Sequence, residues 1–242
     1  MKPFFTFLLL CITLTNPLQG NSPKFAIGFQ SGFRTYGMGD LKSLNQSVQK
    51  TIPFDTRVVS GFPPYLYFRP MISLHRESFS LGVLASFQST GSRVSAKDYS
   101  AEYRFDIRIH SFQYGIQADR RIHESGRLSF RLSASSGATF SGLEMEEYLR
   151  VDESLFISEK ATFKSQNWFF EGGLAAKYKL TGAFSLSAIL AYQLSFGKNA
   201  FQHTEHEVTL KNPRTYDPVR PGWNGFSLGI TAGFIPGNLK RT

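Results

Sequence analysis

The sequence predicts an all-β fold: an eight-stranded antiparallel up-and-down transmembrane β-barrel with short periplasmic turns and long extracellular loops. Three patterns predict it. Eight segments of about 9 to 13 residues alternate in polarity, the length a tilted strand needs to cross a bilayer. The connections between them alternate short and long. Aromatic residues cluster at both ends of the segments.

The eight segments follow in order. Phe25 to Thr35 sets Phe25, Ile27, Phe29 and Phe33 against Ala26, Gly28, Gln30 and Gly32. Tyr65 to His75 carries Leu66, Phe68, Ile72 and Leu74 on one side. Phe79 to Gln88 sets Phe79, Leu81, Val83 and Phe87 against Ser80, Gly82, Ser86 and Gln88. Ala101 to Ala118 opens with Tyr103, Phe105, Ile107 and Ile109 apolar, then switches phase to Phe112, Tyr114 and Ile116. A shift of one residue turns every side chain to the other face, so a β-bulge near Ser111 is expected. Leu128 to Phe140, Asn167 to Leu180, Phe184 to Phe196 and Trp223 to Phe234 alternate throughout.

Short connections fall at Arg76 to Ser78, Ala118 to Gly126 and Thr181 to Gly182. Long ones fall at Tyr36 to Pro64, Ser89 to Ser100, Ser141 to Gln166 and Gly197 to Gly222. With the first strand starting at the periplasm, all four long connections lie outside and both termini inside. One girdle is then expected at Phe25, Phe79, Phe130 and Phe184, the other at Tyr65, Tyr103, Trp168 and Trp223, because amphipathic rings sit well at headgroup level. The alternative is a soluble eight-stranded calyx, whose outer face would be charged and inner face apolar. Small polar residues dominate the less hydrophobic face here, which suits a narrow lumen better.

Composition fits a β protein with an apolar strand surface: 24 Phe among 242 residues, and 15% aromatics. The single cysteine, Cys11, lies in the apolar run Phe4 to Leu14 behind Lys2. That run is short for a membrane span and reads as an export signal over residues 1–20, with cleavage after Gly20 or Ser22. The barrel is expected over 24–236, with a short periplasmic tail at 237–242. The net charge of +9 is scattered rather than clustered, so nucleic acid is not an expected partner. No later stretch is long and apolar enough for a helical span.

The pattern resembles the small outer-membrane barrels of the OmpA/OmpX-like kind, over about Phe25 to Phe234. The last strand, Ser227-Leu228-Gly229-Ile230-Thr231-Ala232-Gly233-Phe234, resembles their C-terminal assembly signal, with Ser227, Gly229, Ala232 and Phe234 at its positions. Ala232 is small for such a position, and eight residues follow Phe234. The segments Ser89-Thr90-Gly91-Ser92-Arg93 and Asp98-Tyr99-Ser100 are similar to barrels of Bacteroidetes-type bacteria. The resemblance implies a Gram-negative outer-membrane location, contact with membrane lipid and lipopolysaccharide, handling by the barrel assembly machinery, and a monomer.

Polar residues on the expected inner face suggest a lumen charge network of Arg104, Asp106, Arg108, His110, Arg131, Glu171 and Lys177. Buried charges must be paired, so such a network would close the bore. The expected function is a structural or interaction barrel with a largely closed, charged lumen and ligand-facing loops. A narrow channel for ions or small solutes is the alternative. Lipid A-modifying enzymes also exist on this fold, but His110 and Ser111 are adjacent on a strand and point to opposite faces, and His75 is followed by Glu77 at the spacing a deacylase would fill with Ser. No catalytic, cofactor or metal site is expected. His203, Glu205, His206 and Glu207 match no strong zinc spacing. In the first long connection, Asp40 to Lys50 reads as a short helix with Asp40 as N-cap and Leu41, Leu44 and Val48 on one face.

Overall fold

The computed structural model describes residues 24–52, 57–76, 78–97, 99, 101–151 and 155–236. The expected signal at 1–20 and tail at 237–242 lie outside the described residues. So do Asp98 and Ser100 of the loop motif.

Ten strands and one helix make up the described chain: β1 (Lys24–Arg34), α1 (Gly39–Thr51), β2 (Arg57–Gly61), β3 (Tyr65–Arg76), β4 (Phe79–Lys97), β5 (Ala101–Ser125), β6 (Leu128–Val151), β7 (Leu155–Lys179), β8 (Phe184–Phe196), β9 (Gln202–His203) and β10 (Gly225–Phe234). Eight of them form a closed antiparallel ring, in which each strand pairs with its neighbour in the chain and β10 closes onto β1. Closure leaves no sheet edge at membrane depth, as a lipid solvent requires.

The register gives the shape of the ring. From Gly28, pairing runs one way through Met71, Leu84, Gly115, Gly137 and Phe169 to Ser195. The other way it runs through Gly233 to Ser185. The two paths meet β8 ten residues apart, a stagger that tilts eight strands by roughly 40° from the barrel axis.

The outer face decides between membrane and water. Phe29, Leu81, Val83, Tyr114, Leu132, Leu174, Leu190, Leu228 and Ile230 all point outward and are exposed. Phe68, Phe87, Phe112 and Phe140 stand opposite one another across four consecutive strands. No calyx with a solvated exterior presents such a belt, so this is a membrane-spanning barrel of the outer-membrane type.

Above the belt the wall is uneven. β1, β3, β8 and β10 stop near its upper edge, whereas β4 to β7 run on for several more residues. Two of the segments expected to be long loops, 89–100 and 141–166, are therefore mostly paired strand. β2 hydrogen-bonds to β4 above the point where β3 begins, so it fills out the row after a break at Phe62. Below the belt, β5 and β6 join through Gly126 and Arg127, and Gly126 takes a positive φ of 57°. The expected connection at 118–126 is thus strand up to Ser125.

The phase switch in β5 has another origin than a bulge. Pairing with β4 runs unbroken from Lys97↔Glu102 to Phe79↔Arg120, and the register shift against β6 falls at Arg121/His123 instead. Side chains alternate evenly through Ser111. What inverts is the surroundings. Below Ser111 the outside is lipid and the inside polar; above it the outside is water and the inside is apolar. Tyr103, Phe105, Ile107 and Ile109 point inward there and are buried.

Those residues meet a cap. α1 lies across the mouth with Leu41 and Leu44 buried against Phe105, Ile107, Leu143 and Phe163. Residues 197–224 fold in beside it and contribute Phe201, Val219 and Trp223. Main-chain bonds from Gly37 to Asn224 and from Met38 to Gly222, 2.7 and 2.9 Å, tie the two segments together. Met38, in the left-handed region, is the N-cap and makes no side-chain cap bond. Asp40 sits in the first turn instead, and its Oδ2 accepts the Arg220 N–H at 3.0 Å.

Candidate functional site

The lumen and its cap hold the chemistry of the molecule. Inward positions of neighbouring strands bring together groups far apart in sequence. Glu171 of β7 accepts from both Arg34 at the end of β1 and Arg69 of β3. All three are buried. The Arg69 Nη2–Oε2 bond is 2.9 Å. One carboxylate against two guanidinium groups leaves a positive excess, and side-chain amides take it up. Arg34 Nη1 donates to Gln88 Oε1 at 2.8 Å and Gln193 Oε1 at 2.5 Å. Gln113 Nε2 donates to Thr139 Oγ1 at 3.1 Å and Gln193 Oε1 at 3.3 Å.

Tyr67 completes this layer. Arg34 lies over its ring at 4.7 Å and Arg69 at 5.7 Å, while its hydroxyl accepts from Gln30 at 2.5 Å. Gly229 makes the room: a Cβ there would stand 2.4 Å from the Tyr67 hydroxyl. Toward the short-turn end, three strands add apolar side chains to the lumen, while the inward face of β6 stays polar through Ser135 and Ser133. Met71 on β3, Leu84 on β4 and Ile189 on β8 follow Arg69, Gln88 and Gln193 inward, and Phe169 lies against Gly115. Met71 and Ile189 also line a second polar chamber of about 70 Å³, together with His75, Gln117, Asp119, Arg131 and Lys177 among others.

The cap seals the other end. Trp223 is fully buried; its Nε1 donates to Ser141 Oγ at 2.8 Å, and its carbonyl accepts from Gln193 Nε2 at 3.1 Å. Tyr36 packs edge-on against the indole at 5.3 Å. Burial pushes the Tyr36 phenol up to about 12.

Of the expected lumen network, Arg131, Glu171 and Lys177 point inward, with Glu171 in the upper layer and the two cations in the lower chamber. Arg104, Asp106, Arg108 and His110 are placed on the outside of the extended wall, because β5 keeps its phase through Ser111. There Asp106 pairs with Arg93 at 2.6 Å and Arg104 at 3.3 Å, and Arg104 reaches Glu146 at 3.7 Å. His110 lies over Gly142 on β6, and Lys160 meets Glu144 at 3.6 Å. This is a solvated ladder of ion pairs above the lipid belt. Arg34, Arg69 and Asp119 were missed, although Arg34 extends the Gly28–Gln30–Gly32 phase and Arg69 follows Tyr67 at a spacing of two.

The girdles change in part. Phe25, Phe130 and Phe184 are exposed toward the short-turn end and Phe79 is half-buried there; Tyr65 and Trp168 are exposed toward the mouth. Tyr103 and Trp223 are instead buried in the cap. Tyr103 lies on the inward face of β5 above the lipid belt and Trp223 in the segment before β10, and both meet apolar cap residues rather than lipid. In β10, Ser227 and Gly229 are buried on the lumen side, while Ala232 is exposed and Phe234 meets Phe184 at 4.8 Å.

Two polar pairings bear on catalysis and metal. Ser73 Oγ lies 3.1 Å from His75 Nε2, a serine two residues before the histidine rather than after it. No carboxylate orients that ring among the described bonds, which leaves the pair without the third group of a hydrolytic triad. His203 Nδ1 accepts the N–H groups of Glu205 and His206 at 3.1 and 3.2 Å. No group of three metal-ligating side chains gathers among the described residues.

No family model matches the chain, and no curated protein matches it. Among solved structures, the outer membrane protein OprG from Pseudomonas aeruginosa aligns with a TM-score of 0.42 and 11% identity, over 90% of this chain and 100% of the other. Neisserial surface protein A aligns at 0.39 and 10%, over 89% and 99%. Ail, the attachment invasion locus protein of Yersinia pestis, aligns at 0.34 and 10%, over 90% and 99%. The superpositions are loose. The fold rests on the closed ring and its apolar belt.

Proposed function

We propose that this chain is a closed structural and interaction barrel of the outer membrane, which presents a rigid extracellular platform and carries no solute. One observation carries the reading: the bore is filled at two levels. The Arg34–Glu171–Arg69 layer with its glutamines occupies the lumen, and α1 with Trp223 occupies the mouth. A path for ions would need both to move. The ion-pair ladder of β4 to β7 stands just above the lipid belt, where Arg108, His110 and Lys164 face outward at the level of anionic headgroups. Lipopolysaccharide phosphates are the expected neighbours there. A cleft of about 520 Å³ lies beside β2 on the platform, bordered by Tyr65, Arg93, Asp106 and His110.

Planar-bilayer recording tests this reading. The purified, refolded chain is expected to give no conductance steps above the bare bilayer. Reproducible ion-selective steps from folded protein, identified by heat-modifiable migration on a gel, would instead support the narrow channel.

A further inference from the structure

The lower chamber contains an electrostatic imbalance. Asp119 of β5, Arg131 of β6 and Lys177 of β7 all point into it. Arg131 stands opposite Ala175, two residues from Lys177, so the cations are diagonal neighbours on adjacent strands, with Cβ atoms about 7 Å apart. Asp119 would neutralise one of them. Yet its oxygens are taken by neutral donors: Ser80 Oγ at 3.0 Å and Gln117 Nε2 at 3.0 and 3.1 Å. Among the described residues, neither Arg131 nor Lys177 has a carboxylate within ion-pair distance. Two Arg131 nitrogens, Nε and Nη1, are buried with no hydrogen-bond partner.

Buried donors without acceptors are costly, and two half-buried cations side by side outnumber the one carboxylate of the chamber. The upper layer of the same lumen meets its charge with Glu171 and two glutamines, although Arg34 Nε and Arg69 Nε stay unpartnered there. The chamber has an opening among the strand ends at the short-turn side, beside Ser185 and Phe234, and its volume of about 70 Å³ compares with the roughly 10–15 Å³ that one water requires. It therefore has room for a group of several heavy atoms. A guanidinium fork beside an ammonium suits oxygens on a tetrahedral or planar anion.

We propose that this chamber binds a small oxyanion, the phosphate, sulfate or carboxylate class, between Arg131 and Lys177, reached from the periplasmic side. The Arg34–Glu171–Arg69 layer above the chamber stops the anion from going further, so the site binds and does not conduct. The shared chemistry covers a free anion and the phosphate of an inner-leaflet lipid.

Calorimetric titration of the refolded chain in neutral detergent at low salt tests the site. Inorganic phosphate is the probe, with chloride at equal ionic strength as reference. Saturable binding of one phosphate per chain is expected. Arg131→Gln with Lys177→Gln should weaken it at least tenfold, Arg131→Lys should retain most of it, and Asp119→Asn should tighten it. Heat-modifiable migration shows which variants have folded. Repeating the titration in phosphatidylcholine vesicles with and without phosphatidylglycerol separates the two sources: competition by the anionic lipid identifies a headgroup, and its absence a free anion. Phosphate heats equal to those of chloride in the folded wild type would overturn the site. So would wild-type affinity in the folded double variant.

Discussion

At the scale of single residues, the lumen shows how a buried charge is made tolerable. Glu171 alone serves both Arg34 and Arg69, while Gln88 and Gln193 present carbonyl oxygens to the remaining donor edge. Removing the carboxylate charge while keeping its shape tests the balance. Glu171→Gln leaves two guanidinium groups facing neutral amides in a low-dielectric interior. Breaking a buried ion pair from one side costs about 3–5 kcal/mol, because the surviving charge stays buried. The variant should lose about that much in urea-induced unfolding from lipid vesicles. Replacing all three residues together with small polar ones should cost less than Glu171→Gln, since no charge is then stranded. Equal stability of Glu171→Gln and wild type would mean that water reaches the layer and screens it.

At the scale of elements, β5 carries the main lesson. One strand crosses from lipid to water, and its apolar face moves from the outside to the inside at Ser111 without any change in backbone phase. Periodicity records which side chains are apolar. It cannot record which side of a wall is wet, so the switch reads from sequence as a bulge, and Arg104, Arg108 and His110 read as lumen residues. The apolar partners that explain Tyr103 to Ile109 lie in α1 and in residues 197–224, more than fifty residues away, where no local pattern connects them. The membrane half of the barrel was legible for the opposite reason: there each strand meets the same lipid outside and the same narrow polar space inside. The short helix was legible too, from Leu41, Leu44 and Val48 at helical spacing, though Met38 rather than Asp40 proved to be the cap. Single cysteines in a Cys11→Ser background check the inversion. Arg108→Cys should react readily with a membrane-impermeant maleimide added to whole cells, and Ile107→Cys at least tenfold more slowly. The reverse order would restore the bulge.

At the scale of the molecule, the barrel is closed by layers in series. The cap covers the mouth, the Arg–Glu–Arg layer fills the bore below it, and the lower chamber opens beneath that layer, with Met71 and Ile189 in its wall. Ion flow through layers in series is limited by the tightest of them. Loosening the cap alone should therefore change what the outside world can reach without opening a path. Trp223→Ala removes the indole that joins Tyr36, Ser141 and Gln193, and Leu41→Asp places a charge under α1, so the pair together should free the cap from the wall. Proteolysis of residues 35–64 on intact cells should then quicken at least tenfold, while bilayer recordings stay silent and heat-modifiable migration is unchanged. The barrel should survive because its ring of strand pairs makes no use of the cap. Conductance from the cap variant alone would place the only seal at the mouth, and the charged layer would then be a hydrated filter rather than a plug.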